Sequence, residues 1–145
     1  MTLTPVELAW IAGFFEGEGS VRVTRPQPRQ MGFLEVSIAN TDLELLEFVY
    51  CRFSGTIKNL HVSGNRKEAW RWILTTNRAA SFLRAIEPYV VHKRMKERIF
   101  LALAFQDQKQ RNVRHFSPDD RELYVRAQVW YYQQFSAINH RGGAR

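Results

Sequence analysis

The chain has a single cysteine, Cys51, among its 145 residues. That excludes a disulfide framework and a cysteine-based zinc site. No apolar run approaches the roughly 18 residues that a membrane span requires. Met1 to Trp10 lacks a basic segment followed by an apolar core and includes Glu7, so neither a secretory signal nor an Arg-rich transit peptide is expected. His61, His92, His115 and His140 lack metal-ligand spacing among themselves. No glycine-rich phosphate loop is present, because Gly13, Gly17 and Gly19 fall at the end of a helical segment and not at its start. Acidic residues are also scarce. Asp plus Glu number 14 against 21 Lys plus Arg, leaving a net charge of +7. The balance left by these absences is a basic globular chain, expected to be intracellular, with no membrane partner and no small-molecule cofactor. Its charge suits a polyanion, most often nucleic acid.

Hydrophobic periodicity sets the order of elements. Thr4-Pro5-Val6-Glu7 is a capping box with proline at the first helical position. The helix it opens is apolar all round, which predicts burial on nearly every side, and Gly17 and Gly19 end it. Ser20 to Arg25 alternates as a strand, Pro26 to Gln30 is a loop, and Phe33 to Asn40 is a second strand. Thr41-Asp42-Leu43-Glu44 opens a helix to Phe53, and Gly55 stops it. Thr56 to Val62 and Glu68 to Thr75 form a second strand pair around Ser63-Gly64-Asn65. Asn77 caps a helix to Glu87, Pro88 breaks it, and Val90 to Gln108 is a longer helix. Ser117-Pro118-Asp119-Asp120 opens the last helix, to Ile138. The order α-β-β-α-β-β-α followed by helices predicts an α+β fold with helices on one face of a four-stranded sheet. One domain is expected over 1–140, with 141–145 a disordered tail from the Gly142-Gly143 pair.

The other sheet face stays open. Its expected positions are Ser20, Arg22, Thr24, Glu35, Ser37, Lys58, Leu60, Ala69 and Arg71, with Arg25, Arg29, Arg66 and Lys67 near the hairpin tips. Trp70 and Trp72 are placed inward. Such a face either contacts phosphates and base edges in a major groove or is simply solvated.

Two oddities meet in Ile11-Ala12-Gly13-Phe14-Phe15-Glu16-Gly17-Glu18-Gly19. Ala9, Ala12 and Gly13 make a small-residue stripe, although glycine inside a helix costs about 1 kcal/mol against alanine. Glu16 and Glu18 sit at the negative end of the helix dipole, where carboxylates are disfavoured. Either they face solvent as an acidic turn or they hold a hard cation such as Mg²⁺, Ca²⁺ or Mn²⁺.

The segment from Ile11 to Gly19 resembles the motif of the LAGLIDADG homing endonucleases. It keeps the acid, small residue, acid, glycine spacing, with glutamate in both acidic positions. The Asn40-Thr41-Asp42 junction, the Gly55 turn and Pro88 followed by Lys93 extend the resemblance over Leu8 to Asp107. Asn139-His140-Arg141-Gly142 looks like the end of bacterial members. The family often carries a glutamine late in the second strand; here Ala39 or Asn40 falls there, and only Asn40 could orient a water.

The resemblance implies a curved antiparallel sheet that saddles duplex DNA, read here through Arg22, Thr24, Arg25, Arg29, Glu35, Ser37, Lys58, Arg66, Lys67 and Arg71. It implies metal binding by Glu18 and the carbonyl of Gly17, with Mg²⁺ as the ion and Mn²⁺ or Ca²⁺ as substitutes. It makes Glu18 and Lys93 catalytic, with Arg94 the alternative to Lys93 if the register shifts by one. Glu16 matches the first, more structural acid. The chain has one such motif, so a homodimer through Ala9, Ala12, Gly13 and Glu16 is expected. The implied activity is intron-encoded, double-strand cleavage at a long, roughly palindromic DNA target, in a bacterial cytoplasm or organelle matrix. An intron RNA maturase and a non-cleaving DNA-binding regulator are alternatives on the same fold.

Overall fold

A computed structural model describes residues 2–26, 31–61, 64, 67–109 and 115–143. The elements are α1 (Pro5–Glu18), β1 (Gly19–Val23), β2 (Leu34–Asn40), α2 (Leu43–Phe53), β3 (Thr56–Asn59), β4 (Trp70–Thr75), α3 (Thr76–Ile86), α4 (Lys93–Gln108) and α5 (Pro118–Gly143), with a 3₁₀ turn at Glu87–Tyr89. The four strands form one antiparallel sheet in the order β1-β2-β4-β3. This is the expected α-β-β-α-β-β-α arrangement followed by helices.

Alternation decides the sheet's two faces. Val21, Val23, Leu34, Val36, Ile38, Trp72 and Leu74 point into the core and are buried. Trp72 is fully buried, and its indole N–H donates to the Ser54 carbonyl at 2.7 Å. Phe82 of α3 sits among the rings of Phe15, Phe53 and Trp72, with centroids 4.9 to 5.2 Å away. Edge-to-face pairs of this kind each contribute about 0.5–1.5 kcal/mol beyond their buried area, so three helices and the sheet are locked at one point. Gly55 is required there. Its φ is +107°, and a Cβ would lie 2.6 Å from the Ile73 carbonyl oxygen.

Several boundaries differ from the sequence expectation, each for a local reason. The N-cap of α2 is Asp42, which accepts from the Glu44 N–H at 3.1 Å, and not Thr41. β3 stops at Asn59, whose side chain accepts from the His61 N–H while His61 takes a positive φ of 44°. α3 starts at Thr76 with Thr75 as its N-cap, two residues earlier than a cap at Asn77 implies; Asn77 accepts instead from Gln106 of α4 at 2.8 Å. α5 runs past Ile138 to Gly143, into the segment expected to be a tail, and 144–145 lie outside the described residues. α4 begins at Lys93 and not at Val90, for a reason that belongs to the site.

Candidate nucleic-acid interface and acidic site

The open face of the sheet is charged in a defined register. Arg22 of β1 stands opposite Glu35 of β2 and pairs with it through Nε. Ser20 faces Ser37 in the next layer. In the layer nearest the end of α1, Ala39, Arg71 and Lys58 lie side by side across β2, β4 and β3. Arg71 and Lys58 are directly opposite and exposed. Like charges in that position destabilise a sheet, and no acid lies between them in the ladder. Thr24 is committed elsewhere. Its N–H donates to the Phe33 carbonyl at 2.9 Å and its Oγ1 accepts from the Phe33 N–H at 2.8 Å, closing the base of the β1–β2 hairpin. Arg25 and Lys67 are exposed. Arg29 and Arg66 lie outside the described residues.

The same layer leads to the acidic end of α1. Glu18 is the last residue of that helix, and Gly19 begins β1 opposite Ile38. Gly19 allows this abrupt change, because a Cβ there would overlap the Phe15 ring. An open cleft of about 360 Å³ is lined by Glu18, Ala39, Asn40, Thr41 and Ala69. Asn40 accepts from the Asp42 N–H through Oδ1 at 2.8 Å, so its amide NH₂ is the group left to donate.

The two glutamates of the motif have separate environments. Glu16 accepts hydrogen bonds from two consecutive backbone amides, Val91 N–H at 2.9 Å and His92 N–H at 2.8 Å. These bonds hold Val90–His92 out of the helix, which is why α4 begins at Lys93. His92 then caps α4 by accepting from the Arg94 N–H at 3.2 Å. One of the two carboxylates placed against the helix dipole is therefore accounted for by structure. The other is not. Glu18 is exposed, and no side-chain hydrogen bond or ion pair holds it among the described residues. The last carbonyls of a helix also lack intrahelical partners, which leaves the Gly17 oxygen beside it as a further acceptor. Carboxylate and carbonyl oxygens form a donor set suited to a hard divalent cation. Among the described residues no group of three His, Cys, Asp or Glu converges, and with Glu16 held by two backbone amides, Glu18 is the motif carboxylate left without a partner among them.

Lys93 follows the two amides held by Glu16, so its backbone is fixed at the C-terminal end of α1. Its side chain, however, lines a groove with Glu87, Lys96, Glu97, Phe100, Leu101, Gln134 and Ile138, and not the Glu18 cleft. The structure joins Lys93 to Glu16 through the backbone and does not bring its ammonium to Glu18.

The faces of α1 correct the expected small-residue stripe. Ile11, Ala12 and Phe15 are buried in the core. At 100° per residue they form one side of the helix together with Leu8. Ala12 thus belongs to the interior of the chain and not to the exposed stripe. The opposite side carries Val6, Ala9, Trp10, Gly13 and Gly17, all exposed and uncharged. A Cβ at Gly13 or Gly17 would meet nothing within 4 Å, so packing inside the chain requires neither glycine. The expectation of all-round burial fails around Gly13 and Gly17, where nothing among the described residues covers the helix, while Trp10 at the margin of this side packs on Phe48 of α2 with ring centroids 5.1 Å apart.

Sequence reasoning did not find the amides of Val91 and His92, which lie 75 and 76 residues from Glu16. It also did not place α5 beside the β1 edge. Tyr132, Ser136 and Asn139 of α5 line a cavity of about 280 Å³ with Arg22 and Arg25. In the sequence, Trp130, Tyr131, Tyr132 and Phe135 read as helix packing more than as a base-stacking platform.

A family model described as a LAGLIDADG-like domain matches residues 5–87. No curated protein matches the chain by sequence. Among solved structures, the homing endonuclease I-CvuI in complex with its target in the presence of Ca is similar at 12% identity and a TM-score of 0.68, over 92% of this chain and 82% of that one. The archaeal intron-encoded homing endonuclease I-Vdi141I, complexed with DNA, is similar at 14% identity and a TM-score of 0.64, over 92% and 84%. The homing endonuclease I-TnaI is similar at 14% identity and a TM-score of 0.63, over 97% and 99%. With the motif helix, the sheet order and the family model in agreement, this chain belongs to the LAGLIDADG-like family and has the homing-endonuclease fold.

Proposed function

We propose that the protein is a site-specific double-strand DNA endonuclease that works as a homodimer with a divalent metal, of the intron-encoded type, its single domain spanning 1–140. The observation that carries this reading is the end layer of the sheet. An unrelieved Lys58–Arg71 pair there adjoins a cleft holding an exposed glutamate with no partner among the described residues. A polyanion relieves the first and a cation the second. A phosphodiester taken up together with a divalent cation would supply both.

Glu18 and the Gly17 carbonyl are the groups that would hold Mg²⁺, with Mn²⁺ or Ca²⁺ as substitutes. When bound, such an ion lowers the pKa of water and offsets charge on phosphate oxygens. The chain's own residues do the rest. Arg71 and Lys58 hold phosphates beside the cleft, and Ser20, Arg22, Glu35, Ser37, Arg25 and Lys67 extend the contact outward along the sheet. Asn40 donates its amide N–H into the cleft, to a water or a phosphate oxygen. Lys93 is the positive group assigned to the developing negative charge. That role requires its flexible stem to swing out of the α4–α5 groove when DNA binds.

The uncharged side of α1 is the proposed dimer contact, with Gly13 and Gly17 at its centre and Val6, Ala9 and Trp10 around them. An isologous pairing there brings together the two α1 ends, each with its own Glu18. Two cleavage sites related by a twofold axis match a target of the same symmetry.

Incubation with a duplex library of randomised sequence in Mg²⁺ tests the reading. The expected result is a double-strand cut at a narrow set of sequences with dyad symmetry, abolished by chelation and restored by Mg²⁺. No cut in Mg²⁺ or Mn²⁺, at any sequence, contradicts it.

A further inference from the structure

β1 is an edge strand, and such edges are normally covered or charged. Here α5 covers it. Gln128 of α5 is fully buried against the hairpin base beside Gly32 and donates to the Tyr124 hydroxyl at 3.1 Å. Tyr131 packs on Phe105 of α4 with ring centroids 5.5 Å apart, and Phe135 is 2% exposed. These contacts fix both the height and the rotation of the helix. They leave Tyr132, Ser136 and Asn139, spaced by four and three residues on one side of α5, lining a cavity with Arg22 and Arg25.

The chemistry of that cavity is one-sided. Two guanidinium groups, two hydroxyls and a carboxamide line it beside Val23 and Phe135, and no acid does. Glu35 pairs with Arg22 and offsets its charge, so Arg25 carries the net positive charge of the site. Thr24 anchors Arg25 by closing the hairpin base immediately before it. A second acid-free cavity, lined by Arg52, Phe53, Ser54, Asn77, Arg78 and Ser81, is different. Its Arg52 is already paired with Glu7 and hydrogen-bonded to the Phe48 carbonyl, and its lining comes from the helical layer and not from the open sheet face.

We infer that Arg25, with Asn139, Ser136 and Tyr132 of α5, forms a binding site for a backbone phosphate of duplex DNA beyond the part read by the sheet. The C-terminal helix thereby becomes part of the DNA-binding surface. This rests on the reading of the protein as a DNA-binding enzyme, and it adds a contact that fixes register and carries no sequence information.

The test is binding of the full chain to a mixed-sequence duplex, without metal, from about 50 to 200 mM salt. Losing one phosphate contact reduces the slope of log affinity against log salt by about 0.9. Asn139→Asp puts an acid of nearly unchanged shape into the site, and Arg25→Gln removes its charge. Each is expected to reduce the slope by about one, and the double variant by no more than either alone, because both act on one phosphate. Gln133→Asp makes the same charge change on an exposed position of α5 that does not line the cavity, and its slope is expected to equal the wild-type value. A slope for Asn139→Asp equal to that of Gln133→Asp overturns the inference while leaving the nuclease reading intact. A wild-type chain that does not bind the duplex at all overturns both.

Discussion

Gly13 separates the stability of one chain from the assembly of two. Inside the chain, a Cβ at this position meets nothing within 4 Å, and the position is exposed. Glycine in an exposed helix interior costs about 1 kcal/mol relative to alanine. Gly13→Ala is therefore expected to stabilise the lone chain by about 1 kcal/mol, which is about 4 °C in Tm at this length. Across a twofold axis the sign reverses. A side chain added to each copy must be accommodated twice, and overpacking a close contact costs about 1–3 kcal/mol per site. Gly13→Leu then costs about 2–6 kcal/mol of dimer, a weakening of about thirtyfold to twenty-thousandfold in affinity. Sedimentation equilibrium reads the assembly, and melting at protein concentrations below dissociation reads the chain. The expected result is a chain that melts no lower than wild type, no longer pairs and no longer cuts DNA. A leucine variant that keeps the dimer mass and full cleavage refutes the placement of the interface. An alanine variant of lower Tm in the lone chain refutes the packing argument beneath it.

Three further outcomes follow from single contacts. Glu16→Gln replaces a carboxylate that accepts from two amides, at 2.9 and 2.8 Å, with a group that has one acceptor and a donor; with solvent screening, a loss of about 1–3 kcal/mol is expected by thermal melting, and Glu16→Asp is not expected to restore it because its side chain is shorter. Lys93→Met is expected to slow cleavage by about 10²–10⁴-fold at unchanged metal dependence; an unchanged rate, with the loss appearing in Arg94→Met, moves the role by one residue. The hydrogen bond from the Arg52 guanidinium holds the Glu7 carboxyl below its ordinary value of 4.5. A carboxyl lowered in the folded state contributes stability that is fully present above 4.5 and is lost as pH falls through the lowered value. Acid melting of Glu7→Gln should accordingly show a shallower fall in Tm below that pH than wild type, and equal slopes contradict the assignment.

What was legible in the sequence was what alternation and capping encode locally. β1, β2 and β4 write their two faces in period-2 patterns, so Arg22, Ser37 and Arg71 were placed outward and Trp72 inward by position alone. Thr4 and Glu7 form the capping box that their spacing implies. α1 resisted the same treatment because it has apolar residues on every side. With no polar face to mark rotation, Ala12 and Gly13 could not be separated, and one proved buried and the other exposed. The start of α4 was illegible for a different reason. Val90, Val91 and His92 continue a helical pattern, and what keeps them extended is a carboxylate far away in the chain. The match of Glu16 to the structural acid of the motif gave its type of role but not its partners. The seating of α5 on β1 likewise depends on buried contacts of Gln128 and Phe135 that no periodicity reports.

The most direct test of the account is the cleavage rate and DNA affinity of Glu18→Gln, measured side by side with wild type in Mg²⁺. The substitution keeps the size of the side chain and removes its charge from an exposed position without hydrogen-bond partners among the described residues, so folding and DNA binding should be preserved. Cleavage is expected to be lost, with affinity measured without metal staying within a few-fold of wild type. A Glu18→Gln protein that still cuts DNA at close to the wild-type rate contradicts it.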